Sequence, residues 1–133
     1  MAVSMREVRA ALDPDEPDYR AAALLGEGAI PHLGRLVEGD DKMLASKAAY
    51  LAGLIGGDRA GEVVLSAAHD DDAAVRVAAA SSTRHLSDRA TEEVLIDLVA
   101  DNDPGVRRMA RRAVPEAPSA RLRAALERAP GPG

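Results

Sequence analysis

The chain has 133 residues and a formal net charge of −5, and 47% of its residues are apolar although it has no Phe or Trp. The absence of cysteine excludes disulfides, thiolate metal sites and a cysteine nucleophile, while twenty-eight alanines favour closely packed helices. No apolar stretch has the length of a membrane span or a signal peptide, so we expect one soluble, cytoplasmic domain.

The first predicted element is a short N-terminal helix. Ser4 and Glu7 have the S-x-x-E spacing of a capping box, with Val3 and Val8 placed as the hydrophobic staple. Stacked repeats need a cover at an open apolar end. We therefore expect this helix to cap the first repeat.

Between Gly39 and Ala129 the sequence repeats itself at a period of 31 residues, without gaps. Two aligned columns, four positions apart, form one helical stripe: Leu44, Val75 and Val106, then Ala48, Ala79 and Ala110. A column in the second half of each unit consists of Leu33, Val64, Leu95 and Leu126. Each unit therefore contains two helices, A and B. The A helices are predicted at about 44–55, 73–86 and 104–114, and the B helices at about 29–38, 60–69, 90–100 and 119–129.

The start of each A helix is marked by an aspartate. Asp41, Asp72 and Asp103 are expected to cap the free backbone N–H groups there. An earlier unit fits less well, because Pro14 and Pro17 shorten its A helix.

This pattern predicts a single domain over residues 1–129. Its repeats span about 13–39, 40–70, 71–101 and 102–129, and the Pro/Gly-rich residues 130–133 form a disordered tail.

The repeated unit resembles HEAT repeats, in particular the short bacterial type often called phycobilisome-lyase-like. The resemblance is carried by "DDAAVRVAAASS" (71–82) and "NDPGVRRMARRAV" (102–114), and less closely by "DDKMLASKAAYLAGLIGG" (40–57). It implies an all-α fold, a right-handed α-solenoid of about four helical hairpins behind the N-terminal cap helix. Proteins of this type mostly bind other proteins, and only a few are enzymes.

The resemblance also implies that the B helices line the concave face, so their outward positions are candidate partner-binding residues. These are Arg35, Glu62, Ser66, His69, Glu93, Asp97 and Arg128. They form a polar column with an acidic middle and an arginine at either end. The alternative is a solvated surface without a specific contact.

A second candidate is an arginine cluster near the C-terminus, where residues 102–133 carry a net charge of +4 against −9 for residues 1–101. Arg108, Arg111 and Arg112 lie at i, i+3 and i+4 on one helix face. The cluster is interpreted as a polar end to the stack, a contact for an acidic protein surface, or a phosphate contact for nucleic acid. The acidic total and the scarcity of aromatic residues, which are two tyrosines, disfavour nucleic acid.

No pattern typical of a catalytic, metal or cofactor site is present. The acidic run at 70–72 lacks the spacing of a calcium loop and is interpreted as helix capping. His32, His69 and His85 do not form repeated His-Glu pairs, and His85 is predicted to lie partly buried in the last turn of an A helix. Ser81 and Ser82 have no histidine at a suggestive spacing.

These observations predict a non-catalytic, monomeric protein–protein interaction module, an adaptor or regulatory subunit without a cofactor. Its partner is a protein, acidic where it meets the C-terminal end. An accessory subunit of a bilin-lyase-like or other protein-modifying enzyme is the first alternative, and nucleic-acid binding through the arginine cluster is the second.

Overall fold

The computed structural model describes residues 2–130, which form nine α-helices, two 3₁₀ turns and no strand. The helices are α1 (Met5–Leu12), α2 (Tyr19–Ala22), α3 (Ile30–Val37), α4 (Lys42–Ile55), α5 (Asp58–Ala68), α6 (Ala73–Ala80), α7 (Asp88–Leu98), α8 (Pro104–Ala113) and α9 (Ala120–Arg128). The two turns, Ala23–Leu25 and Glu27–Ala29, lie between α2 and α3. The all-α prediction is confirmed over this part of the chain. The predicted tail at 130–133 lies, apart from Pro130, outside the described residues.

The helices form two layers. The A helices α4, α6 and α8 contact one another in that order, and the B helices α3, α5, α7 and α9 do the same. From α3 to α8, each helix also contacts the next one along the chain. Such a stack of helical hairpins, each touching its neighbours, is an α-solenoid.

One apolar core runs between the layers. Three alanines of the A helices and three branched residues of the B helices are fully buried: Ala48, Ala79 and Ala110, with Leu33, Val64 and Leu95. They belong to the apolar columns of the sequence repeat, of which Leu44 and Leu126 are only partly buried. Small residues on the A side allow the A helices to pack closely, so a core without large aromatic residues is filled.

The aspartates begin the A helices as predicted. The carboxylates of Asp41 and Asp103 accept hydrogen bonds from the backbone N–H groups of Leu44 and Val106, at 3.1 and 3.0 Å. Asp72 caps α6 in the same way through the N–H of Ala74, at 2.8 Å.

The N-terminal helix α1 has the predicted capping box. The N–H of Glu7 donates to Ser4 Oγ, and the N–H of Ser4 donates to Glu7 Oε1, both at 3.1 Å. α1 contacts α2, α3 and α4, and it buries Val8 and Leu12 completely. Its apolar side therefore lies against the first hairpin.

Two buried glycines mark where neighbouring hairpins approach most closely. A Cβ atom added to Gly53 of α4 would collide with the carbonyl oxygen of Ser82, and one added to Gly61 of α5 would lie 3.2 Å from the Cβ of Ala90. These seams leave no room for a side chain at either glycine without a shift of its neighbour.

One helix is shorter than the sequence predicts. The A helix of the third repeat is expected to reach residue 86, but α6 ends at Ala80, whereas the bounds of the other predicted helices agree within two residues. The hydroxyls of Ser81 and Ser82 both donate to the carbonyl oxygen of Ala78, and such bonds compete with helical backbone pairing. His85 therefore lies in a turn and is exposed, so its predicted place in a helix, partly buried, is wrong.

Candidate interaction surfaces

The seven outward residues of the B helices, which we call the B-helix surface, are all exposed. They lie on or directly after four helices that contact one another in order: Arg35 on α3, Glu62, Ser66 and His69 on α5, Glu93 and Asp97 on α7, and Arg128 on α9. The repeat aligned these positions in the sequence, and the contacts between successive B helices bring their helices side by side.

Two members of the B-helix surface approach each other directly. His69 Nε2 lies 3.8 Å from Asp97 Oδ2, which is an ion pair when the imidazole is protonated. Nδ1 of His69 donates to the carbonyl oxygen of Leu65 at 2.9 Å, because that oxygen can only accept. Both side chains are largely exposed, so this contact contributes little to stability.

The remaining members of the B-helix surface differ in whether their side chains already have a bonding partner within the chain. Glu93 pairs with Arg89 one turn earlier, at 3.4 Å. The side chains of Arg35, Glu62, Ser66 and Arg128 make no hydrogen bond or ion pair within residues 2–130. These four are the members most open to a partner, and Arg89 is a neighbour that the sequence did not indicate.

The three arginines of the C-terminal cluster lie in three different environments. Arg108 is exposed. Arg111 is half-buried and donates from Nη2 to the carbonyl oxygen of Pro130 at 2.7 Å, while its buried Nε has no partner in the described chain. Arg112 lines a groove next to α6 and α7. The single positive face expected from their spacing is thus divided, because Arg111 holds the segment that follows α9.

Other arginines hold the fold together. Arg76 donates from Nε and Nη2 to the carboxylate of Asp101, at 2.9 and 3.1 Å, and from Nη1 to the carbonyl oxygen of Asp70 at 2.9 Å. The hydrogen bond with Asp101 raises the pKa of the Arg76 guanidinium. Arg107, the counterpart of Arg76 in the next repeat, donates to the carbonyl oxygen of Asp101 at 2.7 Å. Arg107 therefore also helps to hold the loop before α8 in place.

The acidic run at 70–72 also has structural partners. Asp70 accepts hydrogen bonds from the N–H of Asp72 at 2.8 Å and from Lys42 Nζ at 3.2 Å. Burial raises the pKa of Asp70, but the bonds from Asp72 and Lys42 outweigh it and the net pKa is lowered. With Asp72 capping α6, the capping interpretation is confirmed. Within residues 2–130, no three His, Asp or Glu side chains are grouped so that they could hold a metal ion.

The groove beside Arg112 was missed by the sequence analysis. It has a volume of about 500 Å³ and lies between the end of α6, the start of α7 and the end of α8. Six of its lining residues are Ser81, Thr83, Arg84, Leu86, Met109 and Arg112. An A helix extended to residue 86 would not leave this turn, so the groove depends on the early end of α6. In the sequence, the run Ser81-Ser82-Thr83 was the signal that could have indicated an early end of α6.

Comparison with known proteins agrees with this architecture. A family model described as HEAT repeats matches residues 30–115, which span α3 to the end of α8. A search of curated proteins finds no match for the chain. None of the helices in residues 2–130 has both the length and the apolar character needed to cross a membrane.

Proposed function

Because the chain belongs to the HEAT-repeat family, whose repeats generally mediate protein–protein interactions, we propose that it is a non-catalytic adaptor or regulatory subunit of the cytoplasm. Its B-helix surface is the principal contact for a protein partner. The exposed Arg108 and Arg112 of α8 are a second contact, for acidic groups of that partner.

The observation that carries the proposal is a column of exposed polar side chains on four contacting helices, each of which buries apolar residues in the core. On α5, Glu62 and Ser66 are exposed whereas Val64 is fully buried. On α7, Asp97 is exposed whereas Leu95 is fully buried. Side chains fixed on packed helices lose little conformational entropy when they bind. A preformed surface of this kind suits the recognition of a folded partner.

The charges along the column indicate what the partner presents. Arg35 and Arg128 lie on the first and last B helices, and Glu62 and Asp97 lie on the two helices between them. A complementary partner has basic groups opposite α5 and α7 and acidic groups opposite α3 and α9. Such alternation fixes the register of binding more than it adds to affinity.

Affinity co-purification from a lysate of the source organism, with and without nuclease, tests the proposal. We expect a protein in stoichiometric amount that remains after nuclease treatment and is identified by mass spectrometry. Combining Glu62→Arg with Asp97→Arg should lower its recovery by about tenfold or more, since like charges placed across an interface oppose binding. Glu16→Arg combined with Glu116→Arg reverses the same number of charges at exposed positions outside the B-helix surface, so it is the matched control and should leave recovery unchanged.

Two results would contradict the proposal in different ways. Partners that disappear after nuclease treatment, with binding that weakens steeply as salt rises, would indicate nucleic acid at Arg108 and Arg112 instead. Equal recovery by the Glu62→Arg, Asp97→Arg variant and by its matched control would remove the B-helix surface from the proposal and leave only the family-level role.

A further inference from the structure

The early end of α6 creates an open groove that the repeat pattern does not require. α4 has 14 residues and α6 has 8, so the turns that end α4 have no helical counterpart in the third repeat. The chain instead turns through residues 81–87, and the groove of about 500 Å³ opens between this turn, α7 and α8. We call it the α6 groove. A smaller depression of about 200 Å³, lined by Tyr50 and Leu54, shares Ser81 and Arg84 with it and continues it toward α4.

The inner lining of the α6 groove is apolar or already satisfied. Leu86, Met109 and Ala113 are half-buried against the core. Thr91 is buried, and its hydroxyl donates to the carbonyl oxygen of Thr83 at 3.3 Å. Since that buried hydroxyl has its partner, this part of the groove does not demand a polar ligand. An apolar side chain that covers Leu86 and Met109 would remove apolar surface from water.

The rim of the α6 groove carries two arginines whose guanidinium groups are open to a partner. Arg84 and Arg112 are exposed, and neither makes a hydrogen bond or an ion pair within residues 2–130. Most of the other arginines from position 76 onward bond to a carboxylate or a carbonyl oxygen, as Arg76, Arg111 and Arg121 do. One acidic residue, Asp88, lines the same groove. Two free guanidinium groups beside an apolar floor, on a protein of net charge −5, are complementary to carboxylates.

We propose that the α6 groove docks a short peptide segment of a partner protein, in which an apolar side chain covers Leu86 and Met109 and neighbouring Asp or Glu side chains pair with Arg84 and Arg112. This inference rests on the proposed role in protein binding, but it uses a surface separate from the B-helix surface. The two surfaces are formed by different residues, so each is tested without the other.

Selection of random dodecapeptides displayed on phage against the immobilised full chain tests the α6 groove. We expect enriched peptides that combine an acidic residue with a large apolar one. A fluorescein-labelled synthetic copy of the strongest peptide then gives an affinity by fluorescence polarisation. Arg84→Glu and Arg112→Glu should each weaken binding about tenfold or more, because each replaces an attraction by a repulsion. Arg6→Glu makes the same charge change at an exposed position of α1, which does not line the groove, and should alter the affinity less than about twofold.

The apolar half of the α6 groove needs its own control. Met109→Gln should weaken binding while far-UV circular dichroism and the melting temperature stay those of the wild type. If that variant does not fold, replacing the apolar residue of the peptide by Ala measures the same contact without changing the protein. Because binding combines charge and burial, the affinity should fall with added salt but should not vanish.

The proposal is overturned if no peptide is enriched above a blank surface, if the enriched peptides are basic, or if Arg84→Glu and Arg112→Glu bind like Arg6→Glu. A partner that still co-purifies and responds to Glu62→Arg with Asp97→Arg would then preserve the proposed function without the α6 groove. Peptide binding lost through Arg112→Glu, with no effect of the B-helix variants on any partner, would support the α6 groove and contradict the B-helix surface.

Discussion

The alanines at positions 48, 79 and 110 occupy equivalent positions on α4, α6 and α8, in the packed seam between helices. All three side chains are fully buried. A Leu in place of Ala79 adds volume to a packed seam that has no space for it, which forces side chains out of their preferred rotamers or separates the helices. We expect Ala79→Leu to lower the free energy of unfolding by about 1–3 kcal/mol.

Urea denaturation followed by circular dichroism measures this effect. Ala74→Leu is the matched control, because Ala74 lies on the same helix and is exposed. An exposed Leu on a helix should change stability by less than about 0.5 kcal/mol. If both variants unfold at the wild-type urea concentration, the assignment of Ala79 to the packed seam between helices is wrong.

Residues whose role depends on near neighbours in the chain could be predicted from the sequence. Asp41 and Asp103 cap helices through N–H groups three residues away, so a short motif contains the whole interaction. The buried alanines follow from a period that every repeat shares. Arg84 and Arg112 could not be recognised, because they meet at the α6 groove only through the position where α6 ends.

At the scale of elements, the loops before α6 and α8 are held by ion pairs from the A helices. Lys42 of α4 contacts Asp70, and Arg76 of α6 contacts Asp101, the counterpart of Asp70 in the next repeat. Each aspartate also accepts the N–H two residues further on, that of Asp72 or of Asp103. The loop is therefore fixed both to itself and to the preceding A helix.

We expect Arg76→Ala to lower the free energy of unfolding more than most substitutions of polar residues. It removes three hydrogen bonds and leaves the largely buried Asp101 carboxylate without its cation, so we expect a loss of about 2–3 kcal/mol in the free energy of unfolding. Arg76→Lys should restore only part of it, since one ammonium group cannot replace the bidentate guanidinium.

Chemical denaturation of Arg76→Ala beside Arg89→Ala provides the comparison. Arg89 forms an exposed pair with Glu93 on one helix, and its loss should change stability by less than about 0.5 kcal/mol. Equal losses for the two variants would show that the bond between α6 and its following loop does not carry the stability assigned to it.

The order of the helices was predictable, whereas the exact end of one helix was not. The constant repeat interval predicts every hairpin from α3 to α9, because the same apolar columns recur in each. It also extends α6 to the length of α4. Two features end α6 early: the hydroxyl bonds of Ser81 and Ser82, and the close approach of Ser82 to Gly53. The approach of Ser82 to Gly53 is a contact between hairpins, which the periodicity of the sequence does not describe.

At the scale of the whole molecule, the stack is stabilised by contacts between neighbouring hairpins, so its faces toward and away from a neighbour must differ. Val77 is half-buried and Ala80 is fully buried in α6, where α8 follows. Their counterparts in α8 are Arg108 and Arg111, the first exposed and the second half-buried. Arg108 and Arg111 therefore make this surface of α8 polar, whereas the equivalent surface of α6 is apolar and buried.

Replacing Arg108 and Arg111 by the residues found in the preceding repeat should make this surface of α8 prone to self-association. Arg108→Val combined with Arg111→Ala gives α8 the same apolar pair that α6 buries, and an exposed apolar patch of this kind promotes association. In sedimentation velocity experiments, we expect the double variant to show a sedimentation coefficient that rises with protein concentration more than that of the wild type. As the control, Arg112→Ser combined with Arg128→Ala also removes two positive charges, but from other positions, and should sediment as the wild type does. Identical sedimentation of all three proteins would mean that Arg108 and Arg111 are not needed to keep this face of the stack from associating, and would leave partner binding as the reason for the positive charge.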